Sequence, residues 1–184
     1  MPIEHEFKFV LQNEKELYEN LKNEALPSHV EFQHMCDIHQ FYLSHNARIR
    51  HDKNSGYQPI FTYKQFITGQ LLEIETEITP TDLDIAKKGA IAELRKHRFV
   101  LYDHDGAGLK IEVDFLFDES NEIYFAMMEI ETHPAVIHLA PPDFIAPYVI
   151  LSVPREHNAY FSNRLLADPE YARTVMENYL KERE

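Results

Sequence analysis

The chain has 184 residues, with 18 lysines and arginines against 31 aspartates and glutamates, for a formal net charge of −13 at pH 7. That length suits one domain with a sizeable core, and the acidic balance argues against a general nucleic-acid binder, which would present a basic surface. No apolar run nears the roughly 18 residues of a membrane span, Met1-Pro2-Ile3-Glu4-His5 lacks the regions of a signal peptide, and a single cysteine, Cys36, rules out an internal disulfide, so a cytoplasmic protein is expected.

Residues 3–10 alternate and predict a first strand. Asn13 with Glu16 three residues on reads as a capping box opening a helix over 13–23, with Leu17 and Leu21 as its apolar stripe and Pro27 beyond its end. Residues 31–43 read as one long strand, and Ser44-His45-Asn46 turns the chain into a strand around Arg48 and Arg50. Asp52-Lys53-Asn54-Ser55-Gly56 is the strongest hairpin-loop signal. Residues 60–66 and 71–78 predict a further hairpin about Thr68-Gly69. Thr81 with Asp84 then opens a second amphipathic helix through Leu83, Ile85, Ala86, Ala90 and Ile91, ending near Leu94. Strands over 96–102, 109–117 and 123–132 follow, separated by Asp103-His104-Asp105-Gly106 and Asp118-Glu119-Ser120-Asn121. Past His133-Pro134 the pattern is fragmented by Pro141, Pro142, Pro147 and Pro154, until Asp168-Pro169 starts a last helix toward Lys181.

These elements predict one α+β domain over 1–184, a strand-rich core over 1–132 and a helical tail over 133–184. About eight strands, mostly joined as antiparallel neighbours, close most simply into a barrel, which removes their edges.

Within the strands, ionisable residues recur at every second position: Glu4, Glu6 and Lys8; Arg48 and Arg50; Lys64; Glu73, Glu75 and Glu77; Lys96 and Arg98; Glu112 and Asp114; Glu129 and Glu131. Residues two apart on a strand share a face. Any one such pair is what a solvated strand face carries. Taken together, the rows predict a surface holding carboxylates and cations side by side. Carboxylates bind hard divalent metals and Lys or Arg bind phosphate oxygens, so such a surface suits a metal-bound polyphosphate.

The order of these motifs, opening with Glu4-x-Glu6-x-Lys8, resembles the triphosphate tunnel metalloenzymes, or CYTH superfamily, over nearly the whole chain. Within that superfamily it is most similar to the short bacterial inorganic tripolyphosphatases, with Gln40-Phe41-Tyr42-Leu43, Phe61-Thr62-Tyr63-Lys64 and Tyr160-Phe161-Ser162-Asn163-Arg164-Leu165 as supporting stretches. The resemblance implies an eight-stranded antiparallel β-barrel with flanking helices, whose tunnel binds a triphosphate and Mg²⁺ or Mn²⁺. It implies metal binding by Glu4, Glu6, Glu129 and Glu131, and phosphate contacts from Lys8, Arg48, Arg50, Lys64 and Arg98. Glu73, Glu75, Glu112 and Asp114 would complete the wall, as metal ligands or as partners orienting the cations. Lys96 would be the general base, assisted by Tyr42; Arg98, one strand step away, would favour the neutral amine.

The implied partner is a small triphosphate, without nucleic acid or membrane, and a homodimer is compatible with it. Hydrolysis of inorganic tripolyphosphate leads; class IV adenylate cyclase, thiamine triphosphatase and a non-catalytic polyphosphate- or nucleotide-binding module are the alternatives. Leu71 stands where the family usually carries an arginine, which bears on substrate choice. His34-x-Cys36-x-x-His39 fits no common zinc spacing, and no glycine-rich phosphate loop is present among five glycines.

Overall fold

In the computed structural model, which describes residues 5–68, 70–105, 108–133 and 135–181, the alternating segments form an antiparallel sheet with flanking helices. In chain order these are β1 (Glu6–Leu11), α1 (Glu14–Lys22), β2 (Val30–Tyr42), β3 (Ala47–Asp52), β4 (Ile60–Ile67), β5 (Gln70–Glu77) and α2 (Pro80–Ala86), followed by β6 (Ala92–Asp103), β7 (Leu109–Phe117), β8 (Ile123–Glu131), β9 (Val149–Val153), α3 (Asn163–Leu166) and α4 (Pro169–Lys181). No helix among the described residues is long and apolar enough to cross a membrane.

The hydrogen-bonded order is β5-β4-β3-β2-β6-β7-β8-β1-β9. It has nine strands where about eight are expected, and it ends at β5 and β9, so the described strands do not close into a ring of hydrogen bonds. The extra strand comes from the proline-broken region. Pro147 lies in a 3₁₀ turn (Ala146–Tyr148) and Pro154 follows the strand, which leaves Val149–Val153 free to pair with β1. Proline cannot donate to a ladder, so it brackets the strand instead of interrupting it.

Contacts divide the described residues into two compact units, one within 36–96 and 163–181, the other within 5–35 and 97–162. In the second unit, Phe7, Phe9, Phe99, Leu101, Ile111, Val113, Phe115, Met128 and Ile130 alternate onto one face and form the main core. Helix α1 covers that face with Leu17 and Leu21. Its Tyr18 ring meets Phe99 and Phe115 edge-on at 5.5 and 5.2 Å, while the hydroxyl lies 2.7 Å from His97 Nδ1. In the first unit, Phe41, Ile49 and Leu83 form a smaller core beneath α2. In both units the apolar alternates pack on one side and leave the charged alternates on the other.

Two helix starts differ from the expected ones. Asn13 adopts a left-handed conformation (φ 53°) and its side chain caps nothing, so the capping box with Glu16 does not form. The second helix is capped two residues earlier than expected. Thr79 and Asp82 exchange the reciprocal cap bonds, with Pro80 in the first turn. That helix ends at Ala86 and runs into a 3₁₀ turn over Lys87–Gly89, so Leu94 belongs to β6. Asp168 does cap α4, its Oδ1 accepting from the backbone N–H groups of Glu170 and Tyr171.

Candidate functional site

In the second unit the register sets Lys8 of β1 opposite Glu129 of β8, and Glu129 opposite Glu112 of β7. Strand alternation then places Glu6, Lys8, Glu112, Asp114, Glu129 and Glu131 on the face turned away from the phenylalanine core. Arg98 of β6 joins them. Its Nε and Nη2 donate to the two oxygens of Asp114, each at 2.6 Å, its Nη2 also reaches Glu129 at 3.0 Å, and Nη1 donates to Glu112. A planar fork meeting both carboxylate oxygens is the geometry that only arginine supplies. Burial alone would lower the guanidinium's pKa; Asp114 first, then Glu129 and Glu112, hold it well above its ordinary value.

Lys8 is the second buried cation of this face. Its ammonium lies 2.9 Å from Glu129 and 3.1 Å from Glu6, and donates to the Phe161 carbonyl at 3.3 Å. Burial pulls its pKa down, but Glu129 and Glu6 outweigh that and raise it. Glu112 also takes Lys110 at 2.6 Å. Two glutamate pairs therefore face each other across strands, with different compensation. Glu112 and Glu129 share Arg98. Glu6 and Glu131 are also direct cross-strand partners, yet of these two Lys8 contacts Glu6 alone, and the exposed Glu131 forms no ion pair among the described residues.

The first unit carries the other cations. Tyr42, Arg48, Thr62 and Glu75 are successive partners across β2, β3, β4 and β5, with Gln40 opposite Arg50 and Lys64 opposite Glu73 in the adjoining rows. Lys64 pairs with Glu73 at 3.0 Å, Thr62 donates to Glu75 at 3.0 Å, and the Tyr42 hydroxyl donates to Gln40 at 2.9 Å. Arg48 and Arg50 form no ion pair among the described residues, and the Arg48 Nε is buried without an acceptor. Lys96, on β6, is only 1% exposed, and its ammonium donates to Asn163 Oδ1 at the start of α3, at 3.3 Å.

The expected residues thus fall into two sets. Glu6, Lys8, Arg98, Glu112, Asp114, Glu129 and Glu131 share a face of the second unit, and Tyr42, Arg48, Arg50, Lys64, Glu73, Glu75 and Lys96 belong to the first. Glu4 lies outside the described residues. Arg98 has four of its five N–H groups on carboxylates, two on Asp114, one on Glu112 and one on Glu129. Gln40, Thr62 and Lys110 were missed, although each stands two residues from a named residue on the same strand, where alternation would have found it. His39 of the supposed zinc stretch bonds Glu93 at 2.6 Å; burial lowers its pKa in spite of that carboxylate. A different cluster, His29, Asp103 and Asp105, has ligand atoms within 4.8 Å of one another.

No protein-family model and no curated protein matches the sequence. Solved structures do. The crystal structure of the inorganic triphosphatase NE1496 superposes with a TM-score of 0.54 at 19% identity, covering 91% of this chain and 95% of that one. A further structure of NE1496, described as a hypothetical protein, gives 0.55 at 19% identity, covering 90% and 97%. HpAC1 from Hippeastrum, whose structure is reported with a dominant triphosphatase activity, gives 0.47 at 17% identity over 98% and 87%. The chain has the fold of the NE1496 structures.

Proposed function

We propose that this chain is a cytoplasmic, metal-dependent triphosphatase that hydrolyses inorganic tripolyphosphate to pyrophosphate and phosphate. One observation carries the reading: side chains of both signs without an ion-pair partner. Glu131 opposes Glu6 and, unlike Glu6 with its Lys8, forms no ion pair among the described residues, and Arg48 and Arg50 have no counter-anion among them. Like charges directly opposed in a sheet are destabilising, and a buried N–H without an acceptor keeps its desolvation cost. A divalent cation answers the first and phosphate oxygens answer the second.

Hard oxygen donors suit Mg²⁺ or Mn²⁺, so Glu6 and Glu131 are the proposed ligands, with Glu4 as a further expected one and Glu129 beside them. The bound ion would neutralise charge on the transferring phosphoryl group. Arg48, Arg50 and Lys64 would hold phosphate oxygens, the arginines in bidentate fashion. Glu73 and Glu75 would keep Lys64 and Thr62 oriented, as Glu112 and Asp114 keep Arg98. Lys96 Nζ, directed by Asn163, would take the proton from the attacking water, with Tyr42 assisting. Phosphoryl transfer needs positioning and charge more than covalent participation by the protein, which is what these side chains offer.

A second reading has its own observation. The second unit contains a groove of about 480 Å³ lined by Val100, Leu101, Tyr102, His104, Lys110 and Gln33 among others. Val100 lies two residues past Arg98 and Lys110 two before Glu112, so the groove continues the charged face. Gly108 (φ 66°) leaves room for the Tyr102 hydroxyl, which lies 2.6 Å from where a Cβ would stand. An aromatic base could occupy it, as a nucleoside triphosphate or cyclase substrate requires. Phosphate release from tripolyphosphate, ATP and thiamine triphosphate, with Mg²⁺, Mn²⁺ or EDTA, tests both. Metal-dependent turnover of tripolyphosphate supports the first reading; preferred turnover of ATP, or release of cyclic AMP, supports the second. Tight binding without turnover would leave a binding module.

A further inference from the structure

The 3₁₀ segment Arg155–Phe161 runs beside β1. With three residues per turn, residues three apart in such a segment stand one above another, and here Arg155, Asn158 and Phe161 meet three consecutive residues of β1. The Arg155 guanidinium lies 4.2 Å over the Phe7 ring. The Asn158 Nδ2 donates to the Glu6 carbonyl at 3.1 Å, and the Phe161 carbonyl accepts from Lys8 at 3.3 Å. Glu6 and Lys8 thus owe their backbone position and one ammonium contact to a segment about 150 residues away in sequence.

Asn158 has one unusual feature. Its Oδ1 is buried and has no hydrogen-bond partner, although the other end of the same amide is bonded. Buried polar groups are nearly always paired, and an orphan acceptor such as this one, like the Arg155 Nε donor in the same segment, is a place where a water or ion can be accommodated. Magnesium and manganese usually keep several waters, whose hydrogens need acceptors. Groups that orient a metal's ligands and accept from its waters typically change metal affinity by ~10–100-fold.

We infer that Asn158 is a positioning residue for the divalent cation: its Nδ2 fixes the Glu6 backbone while its Oδ1 accepts a hydrogen bond from a water of the ion. The inference rests on the proposed metal role of Glu6. Leucine has nearly the same shape as asparagine and neither polar atom, so Asn158→Leu removes both functions without opening a cavity.

The test is Mn²⁺ binding to the full chain, followed by electron paramagnetic resonance of the free ion, together with the melting temperature of the metal-free protein. Wild type, Asn158→Leu and Glu6→Gln are compared, with Asn158→Ala as the second variant should Asn158→Leu fold poorly. Asn158→Leu is expected to bind Mn²⁺ on the order of tenfold more weakly, while the metal-free melting temperature changes little, because loss of the bond to the Glu6 carbonyl is offset by removal of the orphan acceptor. A merely structural asparagine would show the reverse, a lower melting temperature with unchanged Mn²⁺ affinity, and that result overturns the inference. If Glu6→Gln loses Mn²⁺ and the Asn158 variants bind as wild type, the role of Asn158 fails alone. If Glu6→Gln also binds as wild type, the metal role of Glu6 fails with it.

Discussion

Glu6 and Glu131 sit directly across from each other on β1 and β8, and no cation among the described residues touches both. The neighbouring pair, Glu112 and Glu129, has Arg98 between its members. This contrast sets the first prediction. Glu131→Gln should raise the melting temperature of the metal-free protein, since it removes an opposed like charge. The same change should weaken Mn²⁺ binding by on the order of tenfold or more. A metal titration alongside thermal melts checks both signs. An unchanged Mn²⁺ affinity would remove Glu131 from the metal site.

Arg98 is held by three carboxylates, and Asp114 among them is fully buried. Removing the arginine takes the bidentate partner from that carboxylate, and breaking a buried pair in this way typically costs about 3–5 kcal/mol. Arg98→Met should therefore destabilise the protein by about that amount in urea unfolding. The double variant Arg98→Met with Asp114→Leu should recover much of the loss, because no stranded charge remains. If Arg98→Met unfolds at the wild-type urea concentration, the pair is not the strut described here.

Arg48 gives the opposite expectation. Its buried Nε has no acceptor, so Arg48→Met takes away an unsatisfied donor and should leave stability level or higher. Hydrogen bonds to charged groups are worth about 1.5–3 kcal/mol, and about 1.4 kcal/mol is tenfold in affinity. Tripolyphosphate should therefore bind about ten- to a hundredfold more weakly to this variant. Equilibrium binding under non-turnover conditions reads the effect directly.

Lys8 carries a pH signature. Burial opposes its charge, but Glu129 and Glu6 raise its pKa above the ordinary 10.5. The folded state then holds the proton more tightly than the unfolded one, so the contribution to stability is complete below 10.5 and fades as pH rises through the higher folded value. The stability gap between wild type and Lys8→Met should stay level from about pH 7 to about pH 9.5 and narrow only above that. Narrowing near neutral pH would mean that another group governs the gap.

The charged rows were legible because strand alternation is a strict period of two, and it sorts Glu6, Lys8, Glu129 and Glu131 from Phe7 and Ile130 without any knowledge of partners. Fewer signals marked the register, yet it follows once the hairpins are placed, and it brings Lys64 opposite Glu73. What alternation cannot show is which unlike charges satisfy each other. Arg98 reads as a phosphate grip in the sequence; only the structure shows four of its five donors on Asp114, Glu112 and Glu129. Strand β9 was hidden because the prolines around it look like breaks, though they lie at its margins. Asn158 had no signal at all: a 3₁₀ segment has no long-range period, and its bond to Glu6 joins opposite ends of the chain.

The most direct test is the initial rate of phosphate release from inorganic tripolyphosphate as Mn²⁺ or Mg²⁺ is titrated into metal-free protein, with Glu6→Gln run in parallel. The account requires no turnover in EDTA, a saturable rise with metal in the wild type, and a rise displaced to much higher metal concentration in Glu6→Gln. Release that proceeds equally well in EDTA, or a Glu6→Gln curve that overlays the wild type, would contradict it.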